Sequence, residues 1–150
     1  MKPVALLKPR FVEFIPEELE DGVLYVAMEH GSVIHRCCCG CGNEAVTPLG
    51  PTDWQLAYDG RSVTLHPSIG NWSFPCQSHY WIRENAVRWS ERWSSVRIET
   101  SRATDARARG RYFANLRAPN EAPLSSPDAE RTGRVKEGLW KCLQKLLGRG

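Results

Sequence analysis

A chain of 150 residues, 41% hydrophobic and 25% charged, carries apolar material for one domain with an appendage. No stretch approaches the ~18 apolar residues of a membrane span, and a net charge of +3 is too small to make the whole chain a nucleic-acid binder. The opening MKPVALLKPRF is broken by Pro3 and Pro9 before a secretory apolar run develops, so the reading places the protein in the cytoplasm. There, six cysteines need a reason other than disulfides.

In chain order, the first half reads as short strands cut by turns. Residues 10–15 (RFVEFI) alternate and stop at Pro16, and residues 16–19 allow one helical turn. Residues 22–27 (GVLYVA) are rich in strand formers, and residues 32–36 (SVIHR) run straight into the cysteines. Residues 43–47, 54–58 and 62–65 follow as strands. Asp59-Gly60 supplies a two-residue hairpin signal between the last two. Residues 67–75 (PSIGNWSFP) read as an ordered loop, and 79–83 with 86–89 as a hairpin turning at Glu84-Asn85.

After Trp93 the pattern changes. Ser94 or Ser95 caps a helix running to about Leu116, with Val96, Ala103, Ala106, Gly110 and Phe113 near one face. Between Arg88 and Arg117 eight arginines face three acids, Glu91, Glu99 and Asp105. The bland reading of these arginines is a solvated face, and the functional one is docking to an acidic partner or nucleic acid, with Arg102 and Arg109 as candidate contacts. Residues 118–133 are a Pro/Ser-rich flexible linker. From 134 on, Val135, Leu139, Cys142, Leu143 and Leu146 make the stripe of an amphipathic tail helix. Most of the six tryptophans (54, 72, 81, 89, 93 and 140) are core material, whereas Trp72, in the PSIGNW loop, is a candidate partner contact.

The central feature is Cys37-Cys38-Cys39-Gly40-Cys41-Gly42, followed by Cys76-Gln77-Ser78-His79. Structural zinc takes four thiolate or imidazole ligands in a tetrahedron, which two turns brought together by a sheet supply well. Gly40 and Gly42 allow the positive φ that turns backbone amides toward the sulfurs. Cys76 and His79 have the gap of a ligand pair. Cys39 and Cys41, each followed by glycine, are favoured from the first turn, and Cys37 can replace either. The candidate ligands are therefore Cys37, Cys39, Cys41, Cys76 and His79, with Zn2+ as the ion. Strand alternation points Cys38 away, where it serves as a small buried hydrophobe.

Three rival chemistries have weaker signals. Catalytic zinc needs an open position and a nearby carboxylate, yet here ligands are in surplus and no H-E-x-x-H pattern is present. A thiolate nucleophile, such as Cys37 beside His35 and Arg36, needs a depressed pKa that sequence does not display. Ser68, Ser73 and Ser78 lie near His66 and His79, but no G-x-S-x-G elbow marks a hydrolase, and serines in turns are usually turn residues.

The C-x-C-G-C-G turn at 37–42, the Pro67-Ser68 loop, Cys76-x-Ser78-His79-Tyr80-x-Ile82 and Val87-x-Trp89 together resemble a family of small bacterial proteins known as a domain of unknown function. The resemblance covers roughly residues 20–95. It implies metal binding and a place beside ubiquitin-like conjugation genes, those of activating and conjugating enzymes and their modifiers, with antiviral defence as the setting. In that family the position of Cys38 is often Pro or Ala, which implies that Cys37, Cys39 and Cys41 are the ligands of the first turn.

These readings converge on an α+β protein. Residues 1–95 form a ribbon-like, zinc-stabilised antiparallel β-rich domain, 96–117 a basic helix packing on it, 118–133 the linker and 134–150 the tail helix. The expected function is a zinc-binding accessory or adaptor protein of ubiquitin-like conjugation, with the modifier or its enzymes as partners. The alternatives are a peptidase or transferase of that pathway using the metal or a spare thiolate, and a nucleic-acid-binding zinc ribbon.

Overall fold

The computed structural model describes residues 2–117. The linker and tail helix expected over 118–133 and 134–150 lie outside them. Strands β1 (Lys8–Phe11), β2 (Val23–Ala27), β3 (Ser32–Arg36) and β4 (Glu44–Pro48) form one sheet in that order. Strands β5 (Gln55–Tyr58), β6 (Val63–Gly70), β7 (His79–Arg83) and β8 (Ala86–Trp89) form a second, also in chain order. Helix α1 (Ser95–Arg117) follows. Among the described residues no helix is long and apolar enough to cross a membrane.

The alternation of β3 and β4 turns Val33, His35, Ala45 and Thr47 inward, while all five residues of β2 are buried. Leu24, Val26 and Val33 from the first sheet meet Val63, Leu65, Ile69, Tyr80, Ile82 and Val87 from the second in one core, which also takes in Leu7, Cys37 and Cys38. Burying each large aliphatic side chain contributes roughly 1.5–3 kcal/mol. The expected ribbon is therefore two four-stranded sheets sharing a core.

Two further expectations on the strands change. β1 pairs with β2 in parallel, Lys8 opposite Val23, with residues 12–22 as the crossover, so the first sheet is not wholly antiparallel. The turn at Asp59 runs over four residues: Asp59 Oδ1 accepts the amides of Arg61 at 2.8 Å and Ser62 at 2.6 Å. The β7–β8 hairpin does turn at Glu84 and Asn85, with φ of 49° and 67°, the mirror-image turn that matches strand twist. The N-terminal segment lies along β8: Leu7 donates to the Asn85 carbonyl and Val87 to that of Ala5, covering an edge open to aggregation.

Ser94 caps α1, its Oγ accepting the Arg97 amide at 3.3 Å. The expected apolar face does not bury. Val96 is 70% and Phe113 48% exposed, and Ala103, Ala106 and Gly110 are exposed too. Alanine and glycine offer little area to remove from water, so that stripe has small driving force to pack. Contact comes instead through buried Ile98 and a 2.6 Å ion pair from Arg109 to Asp53.

Between the sheets, fully buried His35 has Nε2 2.8 Å from the Tyr80 hydroxyl, which also accepts from the Asn71 amide at 3.2 Å. Burial brings the His35 pKa down to about 4, so its imidazole is neutral near pH 7. Tyr80→Phe takes a partner from both groups and should destabilise the fold by about 1–3 kcal/mol. The expected reading is a lower urea midpoint at unchanged slope.

Candidate metal centre and active site

The first cysteine turn leaves β3 and doubles back to β4. Gly40 and Gly42 sit at φ of 83° and 81°, where a Cβ would be strained. The Cys37 amide donates to the Asn43 carbonyl at 2.7 Å, and the Gly40 amide to the Cys37 carbonyl at 2.9 Å, closing the loop. Cys76 comes from the turn before β7, where Phe74 donates to the Asn71 carbonyl and Gln77 to that of Phe74.

These two turns bring the sulfurs of Cys37, Cys39, Cys41 and Cys76 within 4.8 Å of one another. Cys37 to Cys39 is 3.4 Å, Cys37 to Cys76 3.9 Å and Cys41 to Cys76 3.6 Å. Four thiolates at ~2.3 Å from a tetrahedral ion lie ~3.8 Å apart. The four-thiol donor set and its spacing thus fit a closed tetrahedral metal site. Without a cation the sulfurs cannot all ionise. Burial and neighbouring thiols push Cys39 up, and burial raises Cys37. At Cys41 the upward pull of burial is outweighed by hydrogen bonds from Asn43 and the adjacent thiols, bringing it down to about 6. Polar groups support the ring of sulfurs. Asn43 Nδ2 donates to Cys41 at 3.2 Å, Ser78 Oγ is 3.1 Å from Cys37, and Asn71 Nδ2 donates to Ser78 Oγ at 2.9 Å. Cys38 lies outside this set, in the core, its thiol pushed up to about 12 by burial.

His79 also stands outside the sulfur group. On β7 the alternation that sends Ser78 and Tyr80 toward Cys37 and His35 sends His79 the other way. There its Nε2 is 2.9 Å from Ser68 Oγ on β6, and its Nδ1 is 3.2 Å from the Glu91 backbone carbonyl. A carbonyl can only accept, so Nδ1 carries a proton, and in the neutral ring Nε2 is then the nitrogen that accepts from the serine hydroxyl. Trp72 and Trp93 flank the imidazole at 4.9 and 4.8 Å and stack on each other at 5.3 Å. Gly70 makes room for this cage, because a Cβ there would overlap the Trp72 indole.

Ser68 and His79 open onto a cleft of about 350 Å³ walled by Trp72, Trp93 and the α1 residues Arg102 and Arg109. The structure therefore gathers Trp72, Arg102 and Arg109 around this serine and histidine, while the four cysteines form a separate centre. Ser73 is exposed in its turn and His66 stacks on Trp81, so neither joins the pair. The sequence offered three serines and two histidines here. Choosing between them required the return of β7 alongside β6, whose register shifts between Leu65 and Ile69.

A family model described as bacterial ubiquitination-like system serine protease (BubE) matches residues 11–90. No curated protein and no solved structure matches the chain. The matched span holds all four clustered cysteines, Ser68 and His79, and ends before α1. With more than half its length matched, the chain belongs to the BubE family of bacterial ubiquitination-like systems.

Proposed function

We propose that this protein is a serine peptidase in which Ser68 is the nucleophile, His79 the general base, and the four cysteines hold a structural zinc. The observation that carries the reading is the 2.9 Å contact of Ser68 Oγ with His79 Nε2, whose opposite nitrogen is fixed on the Glu91 carbonyl. That is a nucleophile, a base and an orienter in sequence, with a main-chain carbonyl in the orienting role. His79 takes the Ser68 proton as Oγ attacks the scissile carbonyl, and returns it to the leaving amine as the acyl-enzyme forms. A water, deprotonated by His79, then releases the acyl group and regenerates Ser68. The substrate this reading favours is a peptide bond at or beyond the C-terminus of a ubiquitin-like modifier, since the family belongs to a ubiquitination-like system.

Zinc held by Cys37, Cys39, Cys41 and Cys76 would tie the two turns together, and these four sulfurs would supply all four ligands of a tetrahedral site. Four sulfur donors would leave such an ion no open position for catalysis, and Cys37 is buried within the sulfur cluster, which disfavours it as a thiolate nucleophile. The accessory reading accordingly yields to an enzyme that uses serine. A fluorophosphonate probe tests this directly: intact-mass and peptide mapping should place one adduct on Ser68. An adduct on Ser73 or Ser78 instead, or no adduct, would sink the assignment.

A further inference from the structure

We propose that the outer stripe of α1 is an exosite that docks the folded body of the protein substrate, and that this body presents an apolar patch bordered by carboxylates. The inference rests on the peptidase reading of the Ser68 cleft and adds what the substrate must look like outside the scissile bond.

The first observation is continuity. Arg102, Asp105 and Arg109 line the catalytic cleft and also a second groove of about 530 Å³, whose other walls are Ala106, Gly110 and Phe113. From Arg102 to Phe113 the positions recur every three or four residues, so they share one helix face, which runs ~16 Å away from the cleft. A tail lying in the cleft would leave its parent domain against this face.

The second is chemistry. Phe113 is 48% and Leu116 64% exposed on a helix that buries only Ile98 among the described residues. By helical spacing Arg102, Arg109 and Arg117 share this face with Asp105 as its one acid, Arg109 being paired with Asp53, while Arg97, Arg107 and Arg111 belong to the opposite side. An apolar centre among guanidinium groups complements an apolar patch with acidic borders, the pairing that gives both affinity and steering.

The third is Gly110. Glycine inside a helix is destabilising relative to alanine, and a Cβ at 110 would meet nothing within 4 Å. Nothing among the described residues needs that space, whereas a partner approaching the helix backbone closely would. α1 also lies beyond residue 90, where the family match ends, so the face is an addition to the matched region.

The test uses the full chain with Ser68→Ala, and as probes the folded ubiquitin-like modifier of the same system and a peptide copying its C-terminal tail. Phe113→Asp and, separately, Gly110→Leu should weaken binding of the folded modifier by about tenfold or more, while leaving peptide binding unchanged. Leucine is a strong helix former, so Gly110→Leu should hold or raise the melting temperature, which separates lost docking from lost folding. With Ser68 restored, the variants should raise KM for the folded substrate and spare peptide turnover. Unchanged affinity in both variants overturns the exosite. So does Phe113-dependent self-association or oligonucleotide binding in place of modifier binding. Phe113-dependent binding without cleavage by the Ser68 protein would leave the exosite standing and overturn the peptidase reading.

Discussion

Ser68→Ala is expected to lower kcat/KM for peptide hydrolysis by about 10⁴-fold or more, roughly 5.5 kcal/mol of transition-state stabilisation. The melting temperature should hardly move, because only a hydroxyl on the cleft wall is lost. His79→Gln should cost a comparable factor. The double variant should be little worse than either single one, since nucleophile and base act as a unit. A third substitution separates this arrangement from a carboxylate triad. The group facing His79 Nδ1 is the main-chain oxygen of Glu91, 3.2 Å away, so Glu91→Ala should retain activity within about threefold, where loss of a triad carboxylate would cost orders of magnitude. Steady-state kinetics on a modifier-tail peptide settles all four. Full activity in Ser68→Ala would end the serine mechanism, and collapse in Glu91→Ala would move the orienting role from the main chain to the side chain.

How far the sequence reaches follows from which interactions are local. The strands were legible because alternation and turn residues act over a few positions, as at Glu84-Asn85 and along β3 and β4. The sulfur cluster was legible as candidates because the cysteines crowd within two turns. His79 shows where locality fails. Its two-residue gap from Cys76 is that of a ligand pair, but β7 begins at His79 and pleats it away from the sulfurs. The Ser68 partnership was hidden for a related reason. Pro67 and Gly70 gave residues 67–75 the look of a loop, whereas β6 continues through Gly70 because β7 supplies its hydrogen bonds. The parallel pairing of β1 depends on a crossover that no local pattern encodes. The apolar stripe assigned to α1 failed as a packing face because its spacing was right and its area was not.

Metal removal should have the larger effect on the fold. The two turns that carry the sulfurs are separated along the chain by β4, β5 and β6, and Cys37 and Cys76 meet at 3.9 Å beside Ser78 and Asn71. Structural zinc contributes roughly 10–16 kcal/mol in small zinc domains, comparable to or above the ~5–15 kcal/mol of total stability in a typical domain. A strong chelator, or Cys76→Ser, should therefore lower the melting temperature by about 15 °C or more and broaden the transition. Peptidase activity should fall with it, because Cys76 anchors the segment that leads into His79. Elemental analysis gives the sharper contrast. The unaltered chain and His79→Gln should each carry one zinc, since His79 lies outside the sulfur cluster, whereas Cys41→Ala and Cys76→Ser should lose it. Zinc lost from His79→Gln would return that residue to the ligand set and dissolve the Ser68 pairing with it. Metal-free protein of unchanged stability would leave the four thiols as neighbours without a shared purpose.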